Sequence, residues 1–238
     1  MTESSKTPRL RYDEGCLGAH ALNVIGDRWA MLVIRELMFR PKRFQMIRAG
    51  LPGITASVLT QRLCQLVAAG QVCHDEALGL YTLTPTGRAL HPMLVELCRW
   101  ALLLPGHDPT RFISISALMI SISATVNPAH AAGSTLQAGI LCGHEGFDVT
   151  FSGKGMPEIR PTRAPQGDFV LSGSGNNLAA AIYGPVPIAR MADAGAIKLH
   201  GDRVAAQRFV DLFSLMPQTR SSSESPEVTA HAPGVSSI

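Results

Sequence analysis

The sequence predicts an α+β protein in two parts, a helical N-terminal unit with one short hairpin and a smaller α+β unit after it. Three observations predict this. Apolar residues recur at helical spacing up to Leu104, interrupted once by two short β-type runs. A dense breaker cluster, Pro105-Gly106-His107-Asp108-Pro109, then divides the chain. Beyond it, Phe147, Val149 and Phe151 alternate with Asp148, Thr150 and Ser152 as in a half-buried strand. The expected organisation is a flexible N-terminus (1–13), a first domain (14–104), a linker (105–111), a second domain (112–216) and a disordered Ser/Pro/Glu-rich tail (217–238).

Each element of the first domain has a local reason. Cys16–Ile25 reads as a short helix. Asp27 can cap a second one through Trp29, Leu32, Val33, Glu36 and Leu37, which Pro41 stops. Phe44–Ala49 gives a third, ended by Gly50 and Pro52. Thr55 caps a fourth, whose Leu59, Leu63, Leu66 and Val67 share a face and which Gly70 closes. Val72–His74 and Leu80–Leu83 flank a turn at 75–79 and read as a hairpin. Thr84-Pro85 then opens a long helix through Leu90, Leu94, Leu97, Trp100 and Leu104. That order is expected of a winged helix-turn-helix.

At about 100° per residue, Ser57, Gln61 and Gln65 point away from the leucine face of the fourth helix, flanked by Thr60 and Arg62. Gln can pair with adenine, Arg with guanine, and Ser or Thr with bases or phosphates, so this face suits a major groove. An ordinary wetted face remains the alternative. Charge adds weight. Net charge is only +3, yet Arg28–His74 contains Arg28, Arg35, Arg40, Lys42, Arg43, Arg48 and Arg62 against Glu36 alone. Phosphate neutralisation requires such a concentration. The expected DNA-contacting set is Arg28, Arg40, Lys42, Arg43, Thr55, Ser57, Thr60, Gln61 and Arg62.

Composition bounds the alternatives. Apolar residues make up 46% and charged residues 16%, a globular rather than disordered balance. Met1–Arg11 is polar, so no secretory leader is expected, and Phe112–Val126 is too short and too serine-rich for a membrane span. The five cysteines are dispersed without a CxxC pair, which points to a reducing cytoplasm and away from disulfides or zinc. No catalytic motif and no metal or cofactor signature is found, so the expectation is a non-enzyme without cofactor or metal.

In the second domain, Phe112–Val126 fits both a strand and a helix face. Phe169–Leu171 and Ala196–Leu199 read as strands, and Asn176 or Asn177 can cap a short helix through Leu178 and Ile182. Asp202 can cap a last helix with Phe209, Leu212, Phe213 and Met216 on one stripe. Gly173-Ser174-Gly175 reads as a loop, not a phosphate cradle.

The stretch Ala21-Leu22-Asn23-Val24-Ile25-Gly26-Asp27-Arg28-Trp29 closely resembles the HxlR family of winged-helix regulators. The likeness continues through Arg43-Phe44, Leu51-Pro52-Gly53-Ile54, Val58-Leu59-Thr60-Gln61-Arg62-Leu63 and Tyr81-Thr82-Leu83-Thr84-Pro85-Thr86-Gly87, to the late Trp100. It covers about 14–104 and implies double-stranded DNA as partner, and a homodimer built on the first and last helices of this domain. Family wings usually carry a basic residue near the tip; Asp75 and Glu76 stand here instead, which shifts reliance onto the arginines. Cys16 falls where several members carry a redox-sensing cysteine, with a core cysteine as the alternative. Residues 112–215 are similar in order to the sterol carrier protein type 2 fold, through Gly167–Phe169, the Gly184 loop and Gly195–Asp202. That likeness implies an apolar effector in a tunnel walled by Leu178, Ile182, Tyr183, Ile188 and Met191, unless these residues simply fill a core. The competing reading is a small-molecule or lipid carrier that its winged helix merely dimerises.

Overall fold

A computed structural model of the chain describes residues 11–216. The expected tail, and all but residues 11–13 of the expected flexible N-terminus, lie outside the described residues. Tyr12 is tied down: its backbone N–H donates to Asn23 Oδ1 (2.8 Å), and its carbonyl accepts from Asn23 Nδ2 (2.9 Å).

The first unit runs α1 (Leu17–Ile25), α2 (Ala30–Leu37), β1 (Lys42–Arg43), α3 (Phe44–Ala49), α4 (Ala56–Ala68), β2 (Val72–Asp75), β3 (Leu80–Leu83), α5 (Pro85–Arg88) and α6 (His91–Ala101). Its sheet order is β1-β3-β2. The strand β1 is too short to leave a sequence pattern, and it pairs Lys42 with Tyr81 and Arg43 with Leu80. Asp27 Oδ1 accepts from the Trp29 N–H (2.9 Å) just ahead of α2, whereas the N-cap position belongs to Trp29. The long helix expected after Thr84 is two helices, because Pro92 lies in the first turn of α6 and a new helix starts there. Val67 is exposed, off the stripe of Leu59, Leu63 and Leu66.

The second unit runs α7 (Ile115–Thr125), α8 (Pro128–Ala131), β4 (Ala132–Cys142), β5 (Glu145–Lys154), β6 (Pro157–Thr162), β7 (Phe169–Ser172), α9 (Gly175–Tyr183), α10 (Ile188–Asp193), β8 (Lys198–Gly201) and α11 (Arg203–Val210). The sheet order is β6-β5-β4-β7-β8, with only β4 and β7 parallel. Leu136, Ala138 and Ile140 of β4 oppose Phe151, Val149 and Phe147 of β5, so one face is continuously apolar. Helices α7, α9 and α11 cover it. The cap of α9 is Ser174, not an asparagine; its Oγ accepts from the Asn177 N–H (3.2 Å). Asn176 instead fastens the preceding connection, donating to the carbonyls of Thr110 (3.1 Å) and Arg111 (2.9 Å). In the final segment Phe209, Leu212 and Phe213 are buried, while Met216 is exposed.

Helix α7 resolves the ambiguous stretch 112–126. Ile115, Leu118, Met119 and Ile122 enter the core of the second unit, while Ile120 and Ala124 enter that of the first. A helix buried on both sides is apolar nearly all round, which is why no single period dominates its sequence. The two units are therefore packed against each other through a shared helix.

Candidate nucleic-acid interface

The fourth helix is anchored before it is exposed. Thr55 Oγ1 accepts from the Val58 N–H (3.3 Å), and Leu59, Leu63 and Leu66 are buried beneath α4. Opposite them, Ser57, Thr60 and Gln61 face solvent, with Thr55 exposed at the cap. Thr60 Oγ1 donates to the Ala56 carbonyl (2.9 Å), a bond inside the helix. Gln65 is half-buried.

The basic residues divide sharply. Arg28, Arg43 and Arg48 are exposed, and among the described residues they form no ion pair. Arg62 was expected on the flank of the reading face, but it is buried against Asp27 in an ion pair and donates to Gln65. An arginine on that side of α4 meets the carboxylate that precedes α2 before it meets solvent.

Lys42 and Arg40 are corrections of the same kind. Lys42 is 1% exposed, and its Nζ lies 3.2 Å from Glu36 Oε2, 3.0 Å from Glu145 Oε2 and 3.1 Å from Ser116 Oγ. Arg40 donates to the Gly146 carbonyl (2.7 Å) and sits 5.0 Å over the Phe147 ring. Both side chains turn toward the second unit. For Lys42 the wholly buried Glu36 is the main cause, since a carboxylate in that position needs counter-charge and hydrogen bonds; Arg40 is held by Glu145 and the Gly146 carbonyl. Glu36 also accepts from Arg35 Nη2 (3.0 Å) and Ser114 Oγ (2.5 Å). Sequence reasoning missed this cluster. The available signal was Glu36 itself, the lone acid among seven bases. Its partners Ser114 and Ser116 are two of the serines that interrupt the apolar run.

The hairpin turn carries Asp75, whose Oδ1 accepts from the Leu78 N–H (3.0 Å), so the wing tip is both ordered and acidic. Cys16 is exposed at the start of α1, and the backbone N–H groups of Ala19, chiefly, and Gly18 lower its thiol pKa. Burial raises the thiol pKa of Cys98 and of Cys142. Of the expected tunnel wall, Leu178, Ile182 and Ile188 are buried in the main core cluster, and Tyr183 and Met191 pack against it. These residues fill a core. Burial also raises the Tyr183 hydroxyl pKa, and that hydroxyl lies 3.1 Å from Thr125 Oγ1. Among the described residues no group of three or more His, Cys, Asp or Glu could hold a metal ion, and no helix is long and apolar enough to cross a membrane.

Two helices, a helix presenting small polar residues, and a three-stranded hairpin sheet define a winged helix-turn-helix unit. A model of the HxlR-like helix-turn-helix family matches residues 24–106. The HTH-type transcriptional regulator YvaP of Bacillus subtilis is 32% identical over 106 residues, 42% of this chain and 91% of YvaP. YodB of the same organism, also an HTH-type transcriptional regulator, is 36% identical over 86 residues, 34% of this chain and 77% of YodB. The crystal structure of quinone-bound YodB covers 34% of this chain and 91% of its own, with 36% identity and a TM-score of 0.32. The chain belongs to the HxlR-like helix-turn-helix family.

Proposed function

We propose that this protein is a transcriptional regulator that binds a partly palindromic duplex as a homodimer, with α4 of each protomer in a major groove. The observation that carries the reading is the division of α4 into a buried leucine face and an exposed face of Ser57, Thr60 and Gln61. Its regulator relatives support the same reading. The contact set is narrower than the sequence suggested. Ser57, Thr60 and Gln61 read bases, while Arg28, Arg43 and the capping Thr55 hold phosphates. Exposed Leu17 and Leu22 on α1, with Leu97, Trp100, Leu103 and Leu104 on and after α6, supply the apolar surface for the dimer. Residues 112–216 form a second domain of sterol-carrier-like type, supported by a helix-covered mixed sheet. Regulation falls to an effector or to oxidation of the exposed Cys16 thiol.

Gel-shift titrations at several salt concentrations, on duplexes selected from a random pool, test this. Arg43→Ala should weaken binding to all sequences and flatten the salt dependence by about one unit of slope. Gln61→Ala should relax base preference at one position by about 1–3 kcal/mol. Unchanged binding in both variants removes α4 and its flank from the interface.

A further inference from the structure

A cleft of about 620 Å³ lies between the helix-turn-helix unit and the second unit, a size that suits a small-molecule ligand. Trp29, Leu32, Leu94, Ile120 and Tyr183 give it apolar walls drawn from both units. Its charged lining is Arg28, Arg35 and Arg111 against a single carboxylate, Asp108. Arg35 Nη2 is committed to Glu36 at 3.0 Å. Arg111 pairs with Asp108 at 3.2 Å, but its side chain is 84% exposed, and an exposed pair of this kind is worth little and is readily exchanged for another anion. Arg28 forms no ion pair among the described residues. Cationic groups at the edge of an apolar floor select a ligand with an apolar body and one negative charge. A neutral molecule of the same shape forgoes the charge contact with Arg28 and Arg111.

We propose that this cleft, rather than the interior of the second unit, binds a small amphipathic organic anion, an aromatic or short aliphatic carboxylate or sulfonate. Gly50, Leu51 and Pro52 form part of its lining, in the turn that leads to the cap of α4 at Thr55. An occupant therefore touches the segment that positions α4. The regulatory meaning rests on the regulator reading, but the binding does not, and it is measured without DNA.

The chain has two tryptophans, and Trp29, unlike Trp100, lines the cleft. The probe is 8-anilinonaphthalene-1-sulfonate, compared with its neutral analogue N-phenyl-1-naphthylamine, titrated into the full chain. The expected result is one saturable sulfonate site per chain that quenches tryptophan emission. The neutral analogue binds at least fivefold more weakly. Trp29→Phe removes most of the quenching. Arg111→Ala weakens the sulfonate about fivefold and leaves the neutral dye unchanged, while Arg111→Lys retains binding within twofold. Equal affinity for both dyes overturns the proposal, as does an Arg111→Ala effect on neither dye or on both alike. Saturation by the sulfonate without loss of Trp29 emission also overturns it. Gel shifts on the same preparation report separately on DNA binding, so the two readings fail independently.

Discussion

Replacing Lys42 with Met removes one charge and keeps most of the side-chain length. Its ammonium lies between Glu36 of α2 and Glu145 at the start of β5, at 3.2 and 3.0 Å, and donates to Ser116 Oγ of α7 at 3.1 Å. Breaking a buried pair by removing one partner costs about 3–5 kcal/mol, because the other charge stays buried. The lower end applies here. Glu36 keeps Arg35 and Ser114 as donors, and the Glu145 side chain is 19% exposed, so water reaches it. The expected loss is therefore about 3 kcal/mol, or about 6–12 °C in Tm for a chain of this size. Urea unfolding followed by tryptophan fluorescence measures it. A second change, Glu36→Gln, removes the stranded charge and should recover at least half of the loss. A single-variant loss below about 1 kcal/mol, or a double variant worse than the sum of its parts, refutes the view that this cluster is a paired-charge bridge between the units.

Gly50→Ala should cost about 1–3 kcal/mol in the same assay, since its Cβ would stand 2.2 Å from Glu36 Oε2, in a cluster held from several sides. A neutral outcome would mean that Glu36 is free to swing away. Burial lowers the pKa of His91 below its ordinary 6.5, so the unfolded chain takes up the proton more readily. The His91 contribution is thus present above pH 6.5 and is lost as pH falls toward the lower folded value. Melting curves between pH 8 and 5 should show that slope, and His91→Gln should flatten it. Iodoacetamide at neutral pH should label Cys16 before Cys98 and Cys142, as peptide mass mapping over time would record; the reverse order would contradict the thiol environments described above.

Local signals carried most of the first unit. Thr55 and Thr84 cap helices from their own side chains, Gly70 takes the positive φ that closes α4, and leucines at helical spacing mark the inward face. These are near-neighbour effects, so they are legible in the chain. The strand β4 was not legible, although it is the central strand of the larger sheet. Its Gly133 and Gly139 weaken any strand signal, and at Gly139 a Cβ would stand 3.0 Å from Pro165, a tight approach made only in the folded state.

By itself the sequence determined the first four helices, the hairpin and the outward face of Ser57, Thr60 and Gln61. All follow from periodicity, caps and breakers within a few residues of one another. Which bases meet solvent was decided only by tertiary structure. Nothing local in the sequence separates Lys42, Arg40 and Arg62 from Arg43 as candidate phosphate contacts, yet two of them are drawn in by partners more than 30 residues away: Arg62 by Asp27 and Arg40 by Glu145 with Gly146. Lys42 is drawn in by Glu36 close by and by Glu145 from the other unit. Which carboxylate a basic side chain meets depends on how the elements pack, and for Arg62 and Arg40 that partner is distant in the chain.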